Sequence, residues 1–209
     1  PGPDDPAHLA AILAALGGRP VSHVLVTHAH VDHSPLARAL AARTGAPVLA
    51  FGDARAGRRP EMAALAAAGA LGGGEGVDAD FAPDLRLDDG ATVAGAEWRL
   101  TALHTPGHLG NHMCFAWDGQ VFTGDHVMSW ATTMVSPPDG DIGDFMASLA
   151  KLAARAGDRL FLPGHGAPLP DPAAMLAHQA AHRRAREAQI LAALADGPDA
   201  AGALARRIY

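Results

Sequence analysis

Six consecutive residues, His28-Ala29-His30-Val31-Asp32-His33, hold three imidazoles and one carboxylate. Residues i and i+2 at the end of a strand point the same way, so His28 and His30 can grip one ion. A turn after them lets Asp32 and His33 face a second position. Imidazole nitrogen together with carboxylate oxygen is the donor mixture that zinc and related divalent metals take. Three more pieces have the same design. Thr105-Pro106-Gly107-His108 follows an expected strand, with Gly107 allowing the tight turn that presents His108. Thr123-Gly124-Asp125 ends another strand, where a lone Asp could bridge two metals through its two oxygens. Pro163-Gly164-His165-Gly166 repeats the device after a third. Each piece alone is weak evidence; their joint order is strong.

Two metals sharing a bridging water would lower its pKa, supply hydroxide near neutral pH and polarise a carbonyl or phosphoryl oxygen. Asp32, beside that hydroxide, is the candidate catalytic residue that orients it and handles a proton. The chemistry needs no Ser or Cys nucleophile. Cys114 lies inside an expected strand and reads as a small core residue. Of the other histidines, His112 and His126 lie nearest the motifs and are candidates for holding the ligands in place. His23 reads as structural, and His8, His178 and His182 as surface residues.

The elements that must position these groups alternate between helix and strand. Asp5-Pro6 is an N-cap and first-turn pair for a helix that Gly17-Gly18 ends. Val24-Leu25-Val26 is a short apolar run suited to a strand buried on both faces, and Leu36 and Leu40 mark the helix after the His-rich motif. Ligand sites in α/β folds favour this handover from strand to helix. Residues 47–51 read as a strand. Residues 52–83, rich in Ala and Gly, read as a surface insertion, with a lid over the site as the sharper alternative. Leu85 and Leu87 alternate up to Asp89-Gly90, a favoured hairpin turn, after which Trp98, Leu100 and Ala102 alternate. A second hairpin is expected around Asp118-Gly119. Phe145, Leu149 and Leu152 mark a helix, residues 159–162 a strand, and Asp171-Pro172 opens a helix to about Ala195. The loop from Val127 to Asp144 is expected to border the substrate cleft.

With 209 residues and 49% hydrophobic content, the chain can bury one sizeable core. A net charge of -6 leaves no footprint for indiscriminate nucleic-acid binding. The single cysteine excludes an intrachain disulfide or a cysteine-rich zinc knuckle and fits a cytoplasmic location. No apolar run approaches the ~20 residues of a membrane span.

The order from the His-x-His-x-Asp-His motif to His108, Asp125 and His165 resembles the metallo-β-lactamase superfamily. That resemblance implies an α/β fold, an αβ/βα sandwich with the metals at one edge of two facing sheets. It further implies that His28, His30 and His108 hold a first metal, that Asp32, His33 and His165 hold a second, and that Asp125 bridges. The implied cofactor is two Zn2+ per chain, with iron or manganese as alternatives. The family's first Asp motif and the strands before it would fall ahead of Pro1. The chain is therefore expected to be a fragment whose N-terminal sheet is incomplete, with an exposed edge.

Within the superfamily the chain is most similar to the β-lactamase-like protein 2 family, through His104-Thr105-Pro106-Gly107-His108 with His112, Gly124-Asp125, Thr132-Thr133 and Phe145-Met146-Ala147-Ser148-Leu149. Pro163-Gly164-His165-Gly166 and His182-Arg183-Arg184-Ala185-Arg186-Glu187 complete the match. The likeness implies a catalytic domain over residues 1–195, truncated at its N-terminus, and the start of a truncated winged-helix-like domain over residues 196–209. The expected function is a binuclear zinc hydrolase cleaving an ester-like or phosphodiester bond of a small molecule or single-stranded RNA. A glyoxalase II-like thioester hydrolase, a single-strand endoribonuclease and a mononuclear iron persulfide dioxygenase stay open as alternatives. The acidic net charge counts against simple RNA affinity, and Arg183, Arg184 and Arg186 read first as a solvated helix face.

Overall fold

The computed structural model describes residues 1–209 apart from positions 70, 75 and 196. Helix α1 (Pro6–Leu16) begins as its sequence dictates: the Asp5 side chain accepts the backbone N–H of Ala7, Pro6 opens the first turn, and Gly17 closes the helix in the left-handed conformation. Strand β1 (Val24–Leu25), helix α2 (Leu36–Thr44), strand β2 (Val48–Ala50), helix α3 (Pro60–Ala68) and strand β3 (Leu85–Arg86) follow. Strands β1, β2 and β3 form a parallel sheet in that order.

A second sheet has the order β4 (Thr92–Ala94), β5 (Arg99–His104), β6 (Met113–Trp117), β7 (Gln120–Gly124) and β8 (Leu160–Pro163). It is antiparallel up to the β7–β8 pair, which is parallel. That change of direction requires a crossover, supplied by helix α4 (Ile142–Ala153). Helix α5 (Pro172–Ala193) and the short α6 (Ala201–Ile208) complete the chain.

Strand alternation sorts the apolar side chains into three buried layers. On β2, Val48 and Ala50 join Val24, Ala37 and Leu40, against which Leu9 and Leu13 of α1 pack. Leu49 points the other way, to Met113, Phe115, Ala102 and Val93 of the second sheet. On β6 the same period sends Cys114 and Ala116 to Phe145, Leu149, Leu152 and Leu176 of α4 and α5. The result is an αβ/βα sandwich, as expected. Trp117 and Phe122 stay 41% and 39% exposed because three strands cover less of the inner face than five present. Among the described residues, no helix is long and apolar enough to cross a membrane.

Two expectations are corrected. The hairpin about Asp89-Gly90 does not form: β3 pairs with β2 in the first sheet, and the turn carries the chain across to the second. The strand partnered with β5 is β4, whose register Thr92↔Thr101 closes near Gly95 and Trp98. The segment 52–83 also contains helix α3, which buries none of its residues and so shows no apolar stripe. The hairpin about Asp118-Gly119 forms as expected, with φ 43° at Asp118.

Candidate metal centre

Every expected ligand sits at the end of a strand or in the turn that follows, on one edge of the sandwich. Beyond β1 the Val26 N–H still bonds the Leu49 carbonyl, and the fully buried Ala29 receives Asn111 Oδ1 on its N–H. These contacts fix the backbone on both sides of His28. His30 then forms an isolated bridge with Val77. The turn that brings Asp32 and His33 round is closed by the His33 and Ser34 N–H groups on the His30 carbonyl, and Ser34 Oγ also reaches Asp78 at 2.7 Å.

Three donor groups converge, each with its ligand atoms within 4.8 Å of one another: His28, His30 and His108; His28, His33 and Asp125; and Asp32, His33 and His165. His30 Nδ1 lies 3.0 Å from both His28 Nε2 and His108 Nε2. His33 Nε2 lies 3.2 Å from His165 Nε2, and Asp32 Oδ2 lies 3.1 Å from His165 Nε2. Asp125 stands between the groups. Its Oδ1 is 3.3 Å from His33 Nε2, and its Oδ2 is 3.4 Å from His165 Nε2 and 3.8 Å from His108 Nε2. All seven expected residues are thus brought together.

Neighbouring groups hold these donors in orientation. His108 Nδ1 donates to the Met134 carbonyl at 2.7 Å, which puts its proton there and leaves the Nε2 lone pair aimed at the cluster. Thr133 Oγ1 donates to the carbonyl of Asp125 at 2.5 Å and to that of His126 at 3.1 Å. Asp125 N–H is accepted by His112 Nε2 at 3.2 Å. Glycine is required at position 164, where a Cβ would lie 2.5 Å from Asp125 Oδ1 and 2.8 Å from His33 Cε1. At Gly107, φ is +137° and a Cβ would lie 2.5 Å from Phe145 N, so the turn before His108 is seated against the start of α4.

Burial sets the charge states. It holds His28 well below the ordinary histidine value and His30 at about 4, with neighbouring imidazoles adding to the effect. His108 is lowered for the same first reason, against the opposing pull of the Met134 carbonyl. These rings are neutral, lone-pair donors at pH 7. For Asp125, burial favours the neutral acid, but contact with the His33 ring, aided by the nearby His108 and His165, outweighs it and keeps the carboxylate below its usual range.

A divalent metal fits this donor set. Converging lone pairs on neutral imidazoles repel one another unless a proton or cation lies between them. Among the described residues, buried Asp125 Oδ1 has no hydrogen bond of good geometry, only the His33 ring nitrogen at 3.3 Å, a costly state for a carboxylate oxygen that coordination would relieve. Three imidazole nitrogens on one side, with two imidazoles and two carboxylates on the other, match what zinc accepts.

The backbone carbonyl of Met134 has no mark in the sequence, and Thr105 and Thr133, though both stand in motifs named above, had no orienting role expected of their hydroxyls. Sequence reasoning also placed Arg183 on a solvated face. Arg183 instead turns inward to the Thr133 carbonyl, with its guanidinium 5.1 Å from the Phe145 ring centroid. Arg184 and Arg186 stay on the helix surface side, Arg186 lying 4.2 Å from the Tyr209 ring centroid. Cys114 is buried as expected, and burial pushes its thiol up to about 12, so it is no nucleophile.

Comparison with known proteins agrees with this geometry. The profile of the family described as the Metallo-beta-lactamase superfamily matches residues 1–165. An atrochrysone carboxyl ACP thioesterase of Paecilomyces divaricatus is 31% identical over 179 residues, covering 83% of this chain and 47% of that protein. A lactamase-like protein of Aspergillus niger is 32% identical over 182 residues, covering 85% and 47%. The chain thus spans about half the length of these relatives. The crystal structure of a metallo-beta-lactamase family protein from Thermus thermophilus superposes with a TM-score of 0.74 at 30% identity, covering 97% of this chain and 74% of that one.

Proposed function

This chain belongs to the metallo-β-lactamase superfamily, and on that premise we propose that it is a metal-dependent hydrolase of thioesters. The observation that carries the reading is the seven-residue donor set joined through Asp125. The thioesterase name of a relative 31% identical over most of the chain selects the thioester from the wider class of esters and phosphodiesters. We assign two zinc ions per chain: His28, His30 and His108 would hold one, Asp32, His33 and His165 the other, with Asp125 between them. The similarity to the β-lactamase-like protein 2 family rests on the motif residues from His104 to Glu187 and does not alter this reading.

Bound zinc supplies Lewis acidity, activating a water and polarising the thioester carbonyl. The chain's own residues do the rest. His108 keeps its Nε2 lone pair available because its one N–H, on Nδ1, donates to the Met134 carbonyl. His112 and Thr133 fix the backbone of Asp125, so its two oxygens stay spread between the donor groups. Asp32 is half exposed, and its ion-pair partners among the described residues are His33 and His165, with no lysine or arginine. On this reading Asp32 takes a proton from the attacking water and returns it to the sulfur as the carbon–sulfur bond breaks.

The test combines elemental analysis with turnover of thioester, lactone and single-stranded RNA substrates. About two zinc per chain with thioester hydrolysis is the expected result. One iron per chain would replace the reading with an oxygenase, and cleavage of RNA alone would replace the substrate class.

A further inference from the structure

Beside the donor set lies a cleft of about 300 Å3, within the range of small-molecule sites. Its described lining comes from two segments that meet over the metal ligands. Leu71 and Gly73 belong to one wall and Met134 and Asp139 to the other, and His30 and His108 also line the cleft. The walls are clasped together. Asp139 pairs with Arg58 through one oxygen and accepts the Gly74 N–H at 2.5 Å through the other. The cleft is therefore built, with the one acidic side chain among its described lining residues paired to Arg58.

The apolar side chains at this cleft are unusually open. Leu71 is 48% exposed and Met134 70%. Apolar side chains exposed together in one groove, rather than scattered singly, are a mark of a ligand-binding surface. No lysine or arginine is among the described lining residues, so the described side chains away from the donor set offer no cationic partner for a phosphate chain or a free carboxylate. Met134 also has two separable roles. Its backbone carbonyl orients His108, and its side chain is left free at the cleft. A change of side chain can therefore alter substrate preference without altering the ligand.

We propose that Leu71 and Met134 select the acyl portion of the substrate, and that they favour an uncharged apolar acyl group several carbons long over a short or anionic one. This rests on the thioesterase reading, and the experiment separates the two. Zinc-loaded wild-type protein, Met134→Ala and Leu71→Ala would be compared on acetyl, hexanoyl, decanoyl and succinyl thioesters of N-acetylcysteamine. Binding of the non-hydrolysable decyl and ethyl thioethers would be followed by calorimetry. Zinc content and thermal unfolding would confirm that each variant is folded and loaded; both side chains are exposed, so both variants should pass.

In the wild type, kcat/KM should rise at least tenfold from acetyl to decanoyl and be lowest for succinyl. Each substitution should lower the decanoyl-to-acetyl ratio about tenfold, as expected for lost contacts in an apolar pocket. Binding of the decyl thioether should weaken by a similar factor. Hydrolysis that is indifferent to acyl length, or a ratio unchanged by both substitutions, would overturn this inference and leave the thioesterase reading standing. Tight, Met134-dependent binding of the decyl thioether with no thioester hydrolysed would do the reverse.

Discussion

His112 Nε2 accepts the backbone N–H of Asp125 at 3.2 Å, so the proton of this buried, neutral imidazole sits on Nδ1, which donates to Thr105 Oγ1 at 2.9 Å. A residue that is itself no proposed ligand thereby fixes the backbone of the carboxylate between the two donor groups. Such outer contacts are typically worth about 10–100-fold in metal affinity. His112→Leu should weaken zinc binding by that order, measured by competition with a chromophoric chelator. His112→Gln, which keeps an acceptor near the Nε2 position, should recover part of the loss. Wild-type affinity in both variants would dismiss the role.

Asp32 is dispensable for the group of His28, His30 and His108 but belongs to the group with His33 and His165. Asp32→Asn should therefore retain close to one zinc per chain while thioester turnover falls by about 10²–10⁴-fold, the range for losing a proton-transfer group. Circular dichroism would check the fold, elemental analysis the metal, and steady-state kinetics the rate. Turnover equal to wild type in a folded variant would remove Asp32 from the chemistry.

How much of this was legible before the structure depended on whether a feature is local. The ligands were legible because each lies in a short motif at a strand end, and their types and order state their use. Helix α1 was legible from Asp5, Pro6 and Gly17, which act within one turn. The hairpin about Asp89-Gly90 was misread because Leu85 and Leu87 alternate for a different reason: Leu87 packs on the inter-sheet core and β3 pairs with a strand 36 residues earlier, Leu49↔Leu85. Strand alternation reports burial and carries no record of the partner. Helix α3 was missed because no face of it is buried, leaving only Pro60 at its start and its alanines as signals. The Met134 carbonyl belongs to every residue type, so no sequence could have marked it.

Acid should destabilise the metal-free protein through its buried histidines. Among the described residues neither ring nitrogen of His126 has a hydrogen-bond partner; its ring centroid lies 4.5 Å from that of Phe145, and burial holds it at about 3. An unfolded chain takes up this proton near pH 6.5, whereas the native state does not until about pH 3. Between those values the unfolded state binds more protons, so stability is full above pH 6.5 and falls as the pH is lowered. His126→Leu should remove one proton from that balance, reducing the slope by about 1.4 kcal/mol per pH unit inside the window. Urea unfolding of both proteins at pH 7, 6, 5 and 4 measures it. Parallel stability curves would show that His126 is protonated in the native state.

Two glycines beside the centre are required for different reasons, and their replacement should separate fold from site. Gly107 combines a φ of +137° with a Cβ position 2.5 Å from Phe145 N, at the start of α4. Backbone strain and overlap with a helix backbone add, so Gly107→Ala should cost at least about 2 kcal/mol in denaturant unfolding. At Gly164 the conflict is with side-chain atoms, Asp125 Oδ1 at 2.5 Å and His33 Cε1 at 2.8 Å, and φ is not in the left-handed region. Gly164→Ala should leave the unfolding midpoint of the metal-free protein nearly unchanged and lower its zinc stoichiometry, because the added methyl pushes two proposed ligands apart. Full zinc loading of Gly164→Ala would mean that Asp125 and His33 can move aside and still coordinate. That outcome would remove the tight seating of residue 164 from the design of the centre.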